Sequence, residues 1–117
     1  MPNMHSPLKK RKHFVKLWKQ GNHYCSKHIL LQVLPSRRLS LPSGHVGITC
    51  SSKVGIAVVR NKIKRRFRSL IALHHNDFLA DHSYVFIARV GLNHQPFSSM
   101  KAQFLKLLHS VQVSYAA

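Results

Sequence analysis

Lys53-Val54-Gly55-Ile56-Ala57-Val58-Val59-Arg60-Asn61-Lys62-Ile63-Lys64-Arg65-Arg66-Phe67-Arg68 reads as a glycine-containing turn running into a helix whose polar face is almost wholly cationic. At about 100° per residue, Ile63, Phe67, Leu70 and Ile71 fall on one side of that helix. Asn61, Lys64, Arg65 and Arg68 fall together on the opposite side. The first group can bury against a sheet while the second projects a rigid comb of positive charge. No carboxylate occurs in the segment to neutralise it. The comb suits phosphates, and its geometry favours RNA or DNA over a small anion.

The rest of the chain points the same way. It carries 19 Lys and Arg against two acids, Asp77 and Asp81, for a formal charge of +17 on 117 residues. Such a charge repels itself, so a compact state is best explained by a polyanionic partner. Ordinary solvated surfaces mix signs, and this one does not. An anionic membrane is the poorer partner, because no segment has the long apolar face that stable attachment needs, nor an apolar run near the ~20 residues of a membrane span. The length suits one domain with one modest core, and 44% hydrophobic residues exceed what a disordered basic tail carries. Cys25 and Cys50 are too few for a disulfide scaffold, and no secretory signal opens the chain. The expected location is the cytoplasm, with reduced thiols.

Along the chain, residues 1–7 read as a flexible basic tail, residues 8–113 as a single RNA-binding α+β domain, and residues 114–117 as a C-terminal tail. The spacing predicts a helix over about Lys10–Gln20, closed by a left-handed Gly21. Its start lacks an Asp, Ser or Thr cap, and Lys9 to Lys12 oppose the helix dipole, so that end frays unless RNA steadies it. Strands are expected at His23–Ser26, His28–Leu34, His45–Ser51 and Ser83–Arg89, with an exposed loop over Pro35–Gly44. The basic helix should run over about Val59–His75 and a closing helix over about Ser98–Val113, with Ser98 as its N-cap. The resulting order, α-β-β-β-α-β-α, is an α+β sandwich.

No protein catalytic set emerges. Asp77 and Asp81 sit at a helix end and fit a solvent-facing turn better than a general acid/base pair. The ten histidines are scattered, and surface positions are expected for most of them. Cys25-Ser26-Lys27-His28 has a two-residue ligand spacing that Cys50 could join, but zinc usually needs a second ligand pair; a buried small thiol is the default. Phe14 and Trp18, four apart on the first helix beside Leu17, admit two readings: core, or a platform on which unpaired bases stack.

Gly47 to Arg68, with Lys53, Gly55, Ala57 and Arg60-Asn61-Lys62-Ile63-Lys64-Arg65 at its heart, resembles the signature of the bacterial ribonuclease P protein component. His13 to Gly21 looks like that family's first helix with two aromatics four apart, and Phe86 to Arg89 like its last strand. The resemblance covers about Leu8 to Val111. There are departures. Lys62 stands for the usual second Arg of an Arg-Asn-Arg triplet, which keeps charge and loses bidentate phosphate geometry. Ser52 replaces one Lys of a lysine pair, Lys12-His13 stands where acids are common, and Trp18 where Phe is usual.

The resemblance implies a four-stranded mixed sheet with a left-handed βαβ crossover, against the general right-handed preference. It also implies a protein cofactor for a catalytic RNA that removes the 5′ leader of precursor tRNA, an endonucleolytic step for which the RNA subunit holds Mg2+. Lys53, Arg60, Asn61, Lys62, Lys64, Arg65 and Arg68 would grip the RNA subunit. Phe14, Lys16, Trp18 and Lys19 would meet the leader. The alternative of another class is a small basic structural protein of the ribosome.

Overall fold

The computed structural model describes residues 5–116. Five strands and three helices follow in the order β1 (Ser6–Pro7), α1 (Arg11–Gln20), β2 (Asn22–Cys25), β3 (Ile29–Pro35), β4 (His45–Thr49), α2 (Ala57–Leu73), β5 (His82–Ala88) and α3 (Phe97–Ala116). The strands form one mixed sheet in the order β1-β4-β5-β3-β2. β1 pairs parallel with β4, and β4 parallel with β5. β5 and β3, then β3 and β2, pair antiparallel.

The α+β class and the mixed sheet are as expected, but the sheet has five strands and not four. The extra strand comes from the segment read as a tail. Ser6 and Pro7 lie beside His45 and Val46, while residues 1–4 of that expected tail lie outside the described residues. Two residues of edge pairing leave too short a hydrophobic pattern for a sequence to announce. At the other end α3 continues to Ala116 rather than stopping at Val113.

Period-two alternation in the central strands decides which helices cover which face. Ile29, Leu31 and Val33 of β3 and Tyr84, Phe86 and Ala88 of β5 join a core with Ile63, Phe67 and Leu70 of α2 and Met100, Phe104, Leu107, Leu108 and Val111 of α3. Phe86 stacks on Phe104 with ring centroids 4.9 Å apart. Leu34 of β3 and Val85 of β5 point the other way, into a much smaller cluster with Leu8, Leu17 and Leu39. The sheet is therefore sandwiched between α2 with α3 on one side and α1 alone on the other.

Local chemistry departs from expectation in several places. Gly21 is extended (φ −71, ψ 156), not left-handed. Its need for glycine is steric, since a Cβ there would lie 2.5 Å from the Leu17 carbonyl oxygen. The Pro35–Gly44 connection contains a 3-10 turn, Ser36–Leu39, with Ser36 and Leu39 buried. Ser36 and Ser83 satisfy each other there at 2.8 Å. α2 begins two residues early, and α3 begins at Phe97, so that Ser98 lies inside the helix and not at its cap. The histidines do lie mostly at the surface, with His23, His94 and His109 exposed and five more half-buried, while His13 and His28 are buried.

Candidate nucleic-acid interface

α2 is held by Ile63, Phe67 and Leu70, each at most 3% exposed. The opposite side of the helix is thereby turned to solvent. Asn61, Lys62, Arg65 and Arg68 are exposed there, and Arg60 and Lys64 half-buried. Lys53 is exposed in the turn before the helix. Neither acid is placed to neutralise this face: Asp77 lies 3.6 Å from His74, and Asp81 lies 3.7 Å from His82. The Nε of Arg60 is buried with no hydrogen-bond partner among the described residues. Arg66 is set apart from the comb, its guanidinium 5.9 Å from the Phe97 ring centroid at the start of α3.

Beside the comb runs a concave edge. An open groove of about 440 Å³ is lined by Lys9, Arg11, Phe14, Ile48, Thr49, Cys50 and Lys64. Phe14 reaches it because Gly47 has no side chain. A Cβ on Gly47 would stand 2.6 Å from the tip of the Phe14 ring. Cys50 is buried at the groove's floor; burial pushes its thiol pKa up, opposed by the charges of Lys64 and Arg60. A second cavity, of about 360 Å³, shares Ile48 and Lys64 with the groove and continues along β1, β4 and the last turns of α2.

The four residues assigned to a leader are thus not gathered in one place. Phe14, half-buried, faces Lys64 across the groove. Trp18 is 58% exposed and is not core. It lies against His23 with centroids 5.6 Å apart, and the His23 Nε2 is 3.2 Å from the Trp18 carbonyl oxygen. Lys16 and Lys19 line a shallow depression on α1 with Arg11 and Lys12. Sequence reasoning missed Lys9 and Arg11 as partners of Phe14. The available signal was the run Lys9 to Lys12 at an uncapped helix start, which the structure confirms as lacking a side-chain cap.

The residues weighed for metal are otherwise engaged. Arg89 donates to the Cys25 Sγ at 2.8 Å, and His28 Nδ1 lies 3.1 Å from the Gln103 amide nitrogen. Cys25 is exposed, contrary to the buried-thiol default.

Comparison with known proteins decides the family. A profile described as ribonuclease P matches residues 1–112. The chain belongs to the ribonuclease P protein family. Among its relatives, the ribonuclease P protein component of Clostridium perfringens is 31% identical over 97 residues, covering 80% of this chain and 78% of that one. A Clostridium botulinum member is 36% identical over 86 residues, covering 70% and 69%. The backbone is similar to that of the Staphylococcus aureus RNase P protein, with a TM-score of 0.82 at 24% identity over 92% of this chain and 95% of that one. The Thermotoga maritima protein gives 0.77 at 22% identity, over 89% and 96%. The ribosomal alternative is not favoured by any of these matches. Among the described residues, no helix is long and apolar enough to cross a membrane.

Proposed function

We propose that this chain is the protein subunit of ribonuclease P, binding the catalytic RNA and the 5′ leader of precursor tRNA so that the leader is cut away to give the mature 5′ end. The observation that carries the reading is the uncompensated α2 comb lying directly beside the Phe14 groove, with Lys64 common to both. Phosphates of the RNA subunit would bind to Lys53, Arg60, Asn61, Lys62, Lys64, Arg65 and Arg68. Such contacts release counterions and make binding steeply salt-dependent. The leader would cross the Phe14 groove and run toward Trp18, with Lys9, Arg11, Lys16 and Lys19 following its phosphates. Aromatic faces accept unpaired bases without demanding a sequence, as a processing factor for many tRNAs requires.

Chemistry belongs to the RNA. Mg2+ held by that RNA would activate water for phosphodiester hydrolysis, and no protein side chain is asked to move a proton. We place the particle in the cytoplasm, extend its RNA-binding domain from the expected 8–113 to include β1 and the whole of α3, and assign the β4-α2-β5 crossover a left hand.

The test is reconstitution. With ribonuclease P RNA, Mg2+ and precursor tRNA, the chain should restore leader cleavage at physiological salt; a protein that binds the RNA but leaves cleavage unchanged would refute the assignment. Arg65→Ala with Arg68→Ala should flatten the salt dependence of RNA binding by roughly 0.7–0.9 log-slope units per lost phosphate contact. Its melting temperature should hold, since both side chains are exposed.

A further inference from the structure

The second cavity, between β1, β4 and α2, differs in construction from the open Phe14 groove. Leu8, Val46 and Ile71 give it an apolar floor, and Lys64, Arg68 and His75 stand at its edge. No acid lines it. His75 has a fixed tautomer: its Nδ1 is 2.9 Å from the Ala72 carbonyl oxygen, which can only accept, so Nδ1 carries the proton. In the neutral ring Nε2 is left as an acceptor. The wall opposite α2 is the N-terminal segment, held by His5. The His5 Nε2 lies 3.0 Å from the carbonyl oxygens of both Leu79 and His82, and the ring packs on Phe78 at 5.3 Å. Gly44 makes room for it, since a Cβ there would be 2.4 Å from the same nitrogen.

Resting on the RNA-binding reading above, we propose that this cavity is a slot for one unpaired RNA nucleotide. Its base enters the apolar floor, its phosphate is held by Lys64 and Arg68, and His75 Nε2 accepts a hydrogen bond from the base edge or the 2′-hydroxyl. Three observations select this occupant. About 360 Å³ lies at the lower end of the range for small-ligand sites and suits one nucleotide rather than a duplex. The cationic edge is complementary to a phosphate and unsuited to a cation or an acidic-lined substrate. The cavity also meets the Phe14 groove at Lys64 and Ile48, so a strand leaving the groove arrives at the slot. His5 lines the cavity itself, and with its ring nitrogen engaged by the Leu79 and His82 carbonyls it serves here as a positioning residue that fixes the wall. The N-terminal segment becomes part of the RNA site instead of a passive tail.

The experiment fills the slot without touching a charge. Ala72 is exposed at its edge, so Ala72→Trp occupies the space, and Ala72→Leu occupies part of it, while both helix and comb persist. Binding of the full chain to a short single-stranded oligoribonucleotide is measured by fluorescence anisotropy, beside an abasic oligomer with the same number of phosphates. Ala72→Trp should weaken the base-bearing oligomer roughly tenfold, the scale of one lost base contact. Ala72→Leu should weaken it less, and the abasic oligomer should bind both variants like the parent. Melting curves matching the parent's establish that the variants fold. Unchanged affinity for the base-bearing oligomer would overturn the slot. Equal loss on both oligomers would overturn it too, by showing a site for phosphate alone. Precursor tRNA cleavage by the parent chain with ribonuclease P RNA separates the two readings. Its failure overturns the subunit assignment, whereas cleavage retained beside an insensitive Ala72→Trp overturns only the slot.

Discussion

The two faces of the sheet are covered to very different depths. α2 and α3 bury one face under a continuous core that includes Phe67, Phe86 and Phe104, all fully buried. α1 covers the other with little more than Leu17, held against Leu8, Leu34, Leu39 and Val85. The thick side holds the larger share of the buried apolar core. The thin side is left with a half-buried Phe14 and an exposed Trp18, and open concavities run along the β4 edge where it meets α2. Under the proposed function this asymmetry would give a rigid back that orients the comb of α2 and a front open to an RNA strand.

Breaking each side should therefore give unequal results. Phe104→Ala removes a ring stacked on Phe86 and should cost ~3–5 kcal/mol in a denaturant titration. Leu17→Ala, in the thin cluster, should fall near the low end of the range for buried leucines, about 2 kcal/mol. A loss at Leu17 equal to that at Phe104 would mean that the two sides are energetically alike. Gly47→Ala is subtler. The new methyl would displace the tip of the half-buried Phe14 ring, so the cost should be about 1 kcal/mol while the groove is remodelled and leader affinity drops.

The smallest effect is in pH. His13 on the thin side and His82 beside Tyr115 on the thick side are both held below the ordinary value of 6.5, in each case chiefly by burial. At His13 the charges of Lys12 and Lys10 add to burial, whereas at His82 Asp81 opposes it. As pH falls below about 6.5 the unfolded chain takes up protons that the folded one refuses. Stability present above that value is therefore lost on acidification. Melting temperatures should decline between pH 7 and pH 5, and His13→Gln should reduce the decline. An unaltered pH profile in that variant would remove His13 from the account.

The same asymmetry explains what could be read from the sequence. Periodicity placed Ile63, Phe67 and Leu70 inward and Asn61, Lys64, Arg65 and Arg68 outward because a long helix against a thick core has a strong 3.6-residue signal. β1 was invisible, since two exposed residues carry no pattern. Its place is set by His5 reaching Leu79 and His82, more than seventy residues away. Phe14 and Trp18 share a helix face, yet the structure separates them: one lies over Gly47 of β4, and the other lies against His23 of the edge strand β2. Spacing gives the face; only the packing partner says whether that face is covered. Lys9 and Arg11, beside an uncapped helix start, also line the groove, which no spacing announces.

The most direct test of the account is the affinity of the reconstituted particle for precursor against mature tRNA, measured with the parent chain and with Phe14→Ala. If the open face carries the leader, the parent should favour the precursor. Phe14→Ala should reduce that preference by the ~1–3 kcal/mol of one base–aromatic contact, leaving mature tRNA binding where it was. A preference identical in parent and variant, or an equal loss for both tRNAs, would contradict it.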